Sequence, residues 1–584
     1  MPPCLCSVAV NSPIGVGAIC GYSMTLIGWA VAAALLLASG TILAQRADAD
    51  GDVARPVTGP RVTAASSLPA VELERCDEEA WTAAPTISER PFPCSRMVIV
   101  ARWAAITDQR RDVLDLTYGE VRRILRGELL DWSDLGGSPQ AISVFLPGSQ
   151  ARDIAAALGL SLADLRAVFV TEARLIDSVA STPGAFGLVE PEQLTTGVLA
   201  LTVDGHDPYR DRARQSPLRQ LRWVRARTQR EAIERLSASG VPVAGSFDPV
   251  GMAVTGELIP VRCTNHVLSL LGDYDAMFDG VRDTLVNADI AVAPLEHPLT
   301  ANRELTPCVE TVTFTGSHRA VAAMANAGID VVLTVGNHMM DCWQGCSGVA
   351  ALYETLERLR SEGMVTAGAG ESLDAARTPA VVRVRTELGE VTFAFLGYDI
   401  IAPWYHAEED QPGTAPLEAE YLRRDISAAG KLADHVLVGV NWGVEYVSNP
   451  VAYQRDLGGV AMEAGATFLF GNHPHWVQAI EDFGDSLVAY SFGNFIFDQN
   501  WSIETTQGML MELGFTRDRL LGYRVRPVVI RAHSSQLPWL YRPEFVDPAA
   551  EGGPIMERIW NATDRLPDRP ALAATIAEKR EHHD

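Results

Sequence analysis

Five apolar runs in the second half of the chain each stop on a side chain that can hold a metal ion or move a proton. Residues 250–257 read VGMAVTGE, 288–296 ADIAVAPLE, 327–338 AGIDVVLTVGNH, 434–441 DHVLVGVN and 465–475 GATFLFGNHPH. Short β-branched apolar runs bounded by turn residues are buried strands. In open α/β sheets the side chains at strand carboxyl ends meet in one crevice, so the pattern gathers Glu257, Glu296, Asn337, Asn441, His473 and His475 around a single site. Taken singly, a Glu at a strand end is usually solvated, a buried His is commonly a core residue, and Asn-His can cap a helix. The five together point to one centre. Carboxylate, amide oxygen and imidazole donors suit a borderline divalent ion such as Zn²⁺, Mn²⁺ or Fe²⁺.

The segments AGIDVVLTVGNHMMD, EGMVTAGAGESLDAARTPAVV, NWGVEY, EAGATFLFGNHPHWVQAIE and VAYSFGNFIFD succeed one another between about 252 and 498. In this order they resemble the CapA family of poly-γ-glutamate capsule proteins, relatives of the calcineurin-like metallophosphatases. The resemblance implies a four-layer αββα sandwich and a centre for one or two divalent ions, Mn, Zn or Fe. The family's Gly-Asp becomes Gly256-Glu257, its Asn-Leu-Glu becomes Pro294-Leu295-Glu296, and its Asn-Asn-His becomes Gly336-Asn337-His338. Its His-Trp-Gly histidine becomes Asn441, and its Gly-His-His-Pro-His becomes Gly471-Asn472-His473-Pro474-His475, while Ser491, Gly493, Asn494 and Phe495 match its closing motif. By this resemblance Glu257, Glu296, Asn337, Asn441, His473 and His475 are the metal ligands, and His338 with Asp341 is an acid and its orienting partner. Two ligands have changed type, Asp to Glu at 257 and His to Asn at 441.

The first half alternates strand-like and helix-like runs, the mark of an α/β unit. LTYGEVRRILRGELLDWSDL at 116–135 and STPGAFGLVE at 181–190 resemble periplasmic phosphate-binding proteins. In that family a helix start grips an oxyanion with backbone N–H groups, and here Gly148, Ser149 and Gln150 are the candidates for holding a small anion. The expected organisation is a hydrophobic leader (1–47), a stalk (48–93), a periplasmic-binding-protein-like α/β domain (94–204), a basic connector (205–245), the CapA-like domain (246–545), folding as its own unit, and a tail (546–584). The Arg-rich connector is read as a solvated face paired to acidic surroundings, with polyanion binding as the sharper alternative.

The run from Met24 to Ala44 is uncharged and long enough to cross a hydrocarbon layer of roughly 30 Å. As a cleaved signal or a retained membrane anchor it exports the rest of the chain; the basic-free stretch before it suggests translation from Met24. Beyond the leader six cysteines remain, and Cys76–Cys94, Cys263–Cys308 and Cys342–Cys346 are the simplest disulfide pairs for an extracytoplasmic protein. A net charge of −25 argues against nucleic acid as a partner, because that affinity needs a basic face. Two functions from different classes are expected: a metal-dependent hydrolase or transferase acting on a capsule or cell-envelope polymer, or a non-catalytic assembly or polymer-binding protein on the same fold.

Overall fold

Side-chain alternation along the strands builds the layers of the second domain. In the strand Val250–Val254, Val250, Met252 and Val254 enter one core while Ala253 enters another, and in Ile290–Pro294 the residues Ile290 and Val292 part in the same way from Ala291 and Ala293. In Gly389–Asp399, Phe393 and Phe395 join the first core, and Ala394 and Leu396 a third. A period of two with both faces apolar is what a strand covered on both sides requires. The computed structural model describes residues 87–569 except 92–93, 213–214, 242, 246, 303 and 534–537. The expected leader, the Met24 start, most of the stalk, Cys76 and the end of the tail lie outside these residues.

One mixed sheet of seven strands runs Val365–Ala367, Val331–Leu333, Ile290–Pro294, Val250–Val254, Gln507–Phe515, Leu520–His533, Pro538–Phe545. Its first four strands are parallel and the last three pair antiparallel. The second sheet, of six strands, runs Ala380–Thr386, Gly389–Asp399, His435–Asn441, Phe468–Asn472, Leu487–Ala489, Ile480–Asp482, with its four middle strands parallel. The two sheets share the core that holds Val254, Leu333, Phe393 and Phe470, where each fully buried phenyl ring contributes about 1.5–3 kcal/mol. They approach so closely that a Cβ on Gly439 would lie 2.0 Å from Leu333 Cδ1. Helices Arg262–Leu271 and Arg319–Asn326 cover the outer face of the first sheet, and Ala419–Ala429 and Ala452–Ala464 that of the second. The result is the αββα sandwich.

The N-terminal lobe holds a six-stranded sheet in the order Asp115–Leu116, Val198–Val203, Ala104–Asp108, Ala185–Val189, Ser143–Pro147, Val168–Val170. The basic stretch expected as a connector is different. It supplies the strand Arg219–Arg225, antiparallel to Ser95–Arg102, and the helix Gln229–Ala238, and Val224, Ala226, Ala232 and Leu236 form a small core with Val98 and Val100. Arginines had masked an amphipathic pattern. Their heads are paired: Arg212 with Asp248 and Glu387, Arg222 with Glu89, Arg230 with Glu234. Residues past 545 also differ from a tail, since the helix Gly553–Asp564 sends Ile555 and Ile559 into the core between the sheets.

The described disulfides are Cys263–Cys308 and Cys342–Cys346, and Cys94 is disulfide-bonded as well. Among the described residues no helix is long and apolar enough to cross a membrane.

Candidate functional site

The strand ends of both sheets open on one crevice. In the first sheet's domain half, Glu257 is fully buried in a two-residue strand aligned with Asn494. Its Oε1 accepts the backbone N–H of His473, and its Oε2 lies 2.7 Å from His475 Nδ1. The same Nδ1 is 2.9 Å from Asn494 Oδ1, and Asn494 is fixed by donating to Gln499 Oε1 and Thr505 O. Burial works to lower the His475 imidazole's pKa, but the Glu257 charge and hydrogen bond outweigh it and the net shift is upward. His473 has no such partner. Burial, followed by the neighbouring His475 and His338, pushes it down to about 3, so it is a neutral donor at pH 7.

In the second sheet, register places Asp399, Asn441 and Asn472 side by side at the ends of three adjacent parallel strands. The Asn441 amide donates to Asp399 Oδ1 at 2.8 Å and to Asn337 Oδ1 at 3.0 Å. Glu296, 3 % exposed, has its pKa raised well above the usual carboxylate range by burial first, then by Glu257, Asp399, Asp341 and Glu445. Five carboxylates around one crevice with this mutual repulsion call for a cation.

His338 and Asp341 sit at the rim. His338 Nδ1 is 2.7 Å from Asp341 Oδ2, and the Phe314 ring packs 4.2 Å from the imidazole. Asp341 is itself held, accepting the Phe314 N–H at 2.7 Å and the Tyr405 hydroxyl at 3.1 Å. Burial and then Asp341 push the Tyr405 hydroxyl up to about 12, so it stays a proton donor to that carboxylate. With Nδ1 occupied, the other ring nitrogen of His338 is the one that can exchange a proton with a substrate.

All eight residues expected from the sequence therefore line the crevice or its rim. The sequence did not single out Asp399, Asn472 or Glu445. The run VTFAFLGYD ending at Asp399 was the available signal for the first. The candidate anion grip at 148–150 is taken up differently: Ser149 Oγ donates to Glu172, and Gln150 Nε2 reaches Glu172 and Glu190. Both side chains are thereby engaged by carboxylates.

A metal fits the crevice on the structure's own terms. Glu296 Oε1, Asn441 Oδ1, Asn472 Oδ1 and His473 Nδ1 are buried without a hydrogen-bond partner. Orphaned buried polar atoms are rare in native proteins and carry a free-energy cost. Here they are oxygens and an imidazole nitrogen in one place, the donor set of a borderline divalent ion.

A four-layer αββα sandwich with buried carboxylate, amide and imidazole groups at its strand ends defines a metallophosphatase-type domain. Residues 251–499 match the family model described as bacterial capsule synthesis protein PGA_cap, so this segment is similar to that family. The PGA biosynthesis protein CapA of Bacillus subtilis (strain 168) is 28% identical over 286 residues, covering 49% of this chain and 73% of that protein. Among solved structures, an ABC-type phosphate transport receptor from Vibrio cholerae covers 26% of this chain and 71% of its own at 17% identity and a TM-score of 0.21. The NAD nucleotidase of Haemophilus influenzae covers 57% and 60% at 9% identity and a TM-score of 0.25.

Proposed function

We propose that this protein is an exported, metal-dependent hydrolase or transferase in the synthesis of a capsule or cell-envelope polymer of the poly-γ-glutamate type. The observation that carries the reading is the set of orphaned buried donors on Glu296, Asn441, Asn472 and His473. The similarity to the PGA biosynthesis protein CapA of Bacillus subtilis supports this class of polymer. Glu257, Glu296, Asn337, Asn441, His473 and His475 would hold one or two ions, Mn, Zn or Fe. When bound, such an ion polarises a substrate oxygen and lowers the pKa of water. His338, oriented by Asp341, then gives a proton to the leaving group. The disulfides support a place outside the cytoplasm, with residues 24–44 as signal or membrane anchor.

The second reading, a non-catalytic assembly or polymer-binding protein, is favoured by one observation. Where the family pattern carries a His, the Asn441 amide ties up the oxygens of Asn337 and Asp399. Metal analysis of the purified exported region decides: one or two tightly held ions per chain, together with metal-dependent bond cleavage or transfer on the polymer, supports the enzyme. A chain that binds no divalent ion is the assembly protein.

A further inference from the structure

The loops after Asn441 and Asn472 are stitched to each other. The Trp442 N–H donates to Asn472 O at 3.2 Å and the Tyr446 N–H to Pro474 O at 2.9 Å. The Gly443 N–H donates to the Tyr453 hydroxyl at 2.6 Å. Gly443, Tyr446, His473 and His475 all have positive φ, at 96°, 62°, 91° and 58°. Three of these are not glycine, and such residues hold left-handed backbone only where the surroundings impose it, which is commonest at ligand sites. One product of this stitching is the position of Glu445, whose carboxylate comes to the two imidazoles from the solvent side.

We propose that Glu445 is a metal ligand, completing with His473 and His475 a two-imidazole, one-carboxylate site for a single cation of the Zn²⁺ type. The proposal rests on the metal-dependent reading above and adds to it a ligand outside the set implied by the family pattern. One donor atom from each of the three residues lies within 4.8 Å of the others. His473 is 7 % exposed and its Nδ1 has no hydrogen-bond partner. That buried, unpartnered nitrogen is an observation independent of the acidic cluster. Two histidines and a carboxylate are a donor set that zinc takes, at about 2.0–2.2 Å per bond. The exposed Glu445 side chain has the room to turn inward to those distances.

The site also resolves an imbalance between the halves of the crevice. Asn337, Asp399 and Asn441 offer oxygens only, and two of those are already bonded to the Asn441 amide. Both strong nitrogen donors lie on the His473 side, where Glu257 is engaged by the His473 backbone and the His475 ring. A second carboxylate on that side supplies the charge that two neutral imidazoles lack.

The test is Zn²⁺ affinity, read by competition with a chromophoric chelator, and the absorption spectrum of the Co²⁺ form, which reports coordination without reference to activity. The parent protein is compared with Glu445→Gln, Glu445→Asp and His473→Ala, each checked for an unchanged thermal melt without metal. Glu445→Gln is expected to weaken Zn²⁺ binding at least about tenfold and to alter the Co²⁺ spectrum, with partial recovery in Glu445→Asp. If His473→Ala weakens binding while Glu445→Gln binds like the parent, the Glu445 assignment is overturned and the wider metal reading stands. If His473→Ala also binds like the parent, the metal reading itself fails and takes this assignment with it.

Discussion

Asn441 and Asp399 end adjacent parallel strands in the same register, and the Asn441 amide donates to the Asp399 carboxylate at 2.8 Å. A hydrogen-bond donor thus occupies the position that the family pattern gives to an imidazole ligand. Both side chains are fully buried, so the pair is sensitive to charge.

Replacing Asn441 by Asp removes that donor and sets two carboxylates side by side in a buried site. Without metal, Asn441→Asp should lower the melting temperature, because like charges at this distance cannot both ionise cheaply. With Zn²⁺ or Mn²⁺ added, the same variant should gain more stability than the parent, since a ligand that binds only the folded state stabilises it by mass action. Asn441→His should raise metal affinity, restoring a nitrogen donor. Thermal melts with and without metal check both; equal metal-induced shifts in parent and variants would sink the idea.

The rim pair makes a different prediction. His338 is oriented through Asp341, which in turn is held by Phe314 and Tyr405. His338→Ala should leave the metal content unchanged and lower kcat by about 10²–10⁴, the usual contribution of a positioned general acid. Asp341→Asn should lower kcat as well, because the carboxylate that orients the imidazole through Nδ1 is gone. Loss of metal in His338→Ala would move this residue from proton donor to ligand.

His297 ties stability to pH. It is fully buried, its Nδ1 lies 3.0 Å from Pro298 O, and burial holds its pKa down to about 4. An unfolded histidine titrates near about 6.5. Between those values the unfolded chain takes up a proton that the folded chain refuses, so His297 costs stability as pH falls from about 6.5 toward 4, by up to about 1.4 kcal/mol per pH unit. Urea unfolding of the parent and of His297→Gln, in the presence of a chelator, should show the parent losing more stability than the variant over this window. A gap between the two that does not change with pH contradicts the assignment.

The strands that carry the site were legible because their apolar runs are short, β-branched and interrupted by Gly, Asn or His just where each strand ends. The runs before Glu257, Glu296, Asn337, Asn441 and His473 are all strands. Register was not legible. That Asn441 lies between Asp399 and Asn472 depends on which strands become neighbours, and no local pattern encodes it. Asp399 escaped notice because FAFLGYD ends in a residue that also closes ordinary turns. The 219–225 strand was hidden by its arginines: Arg222 pairs with Glu89, Arg219 donates to Ser216 O, and Arg225 is itself buried. Glu445 lies in the loop after the strand that ends at Asn441, and the stitching of two loops gives it its neighbours.

The disulfide Cys263–Cys308 closes a separation of 45 residues and anchors the stretch just before Phe314, whose ring packs on His338. In the chain-entropy model a loop of that length stabilises the fold by about 4 kcal/mol. Changing both cysteines to Ser should lower the unfolding free energy by about that amount. It should also lower kcat, since Phe314, whose backbone N–H holds Asp341, follows Cys308 closely in the same irregular stretch. Denaturant curves and turnover of the double variant check the two effects; an unchanged stability would remove the disulfide from the account of the site.

The N-terminal lobe and the sandwich meet over a buried charge. Arg524, on the Leu520–His533 strand, donates to Asp207 at 3.0 Å, to Glu512 at 3.0 Å and to Ala200 O at 2.9 Å, and its side chain is only 3 % exposed. Leu521 and Phe247 pack beside Ala104, Ile106 and Tyr209 in the core that spans the contact. Taking away Asp207 leaves a buried guanidinium with half its counter-charge, so Asp207→Ala should cost about 3–5 kcal/mol. Replacing both members, Asp207→Leu with Arg524→Met, should cost much less, because an apolar pair of similar volume needs no desolvated charge. A fragment beginning near residue 246 keeps both large sheets and should still unfold cooperatively, but at lower denaturant than the whole chain, and Arg524→Met should recover part of the difference. If Asp207→Ala unfolds at the same denaturant concentration as the parent, the two lobes are held by their apolar contact alone, and the ion pair is incidental to it.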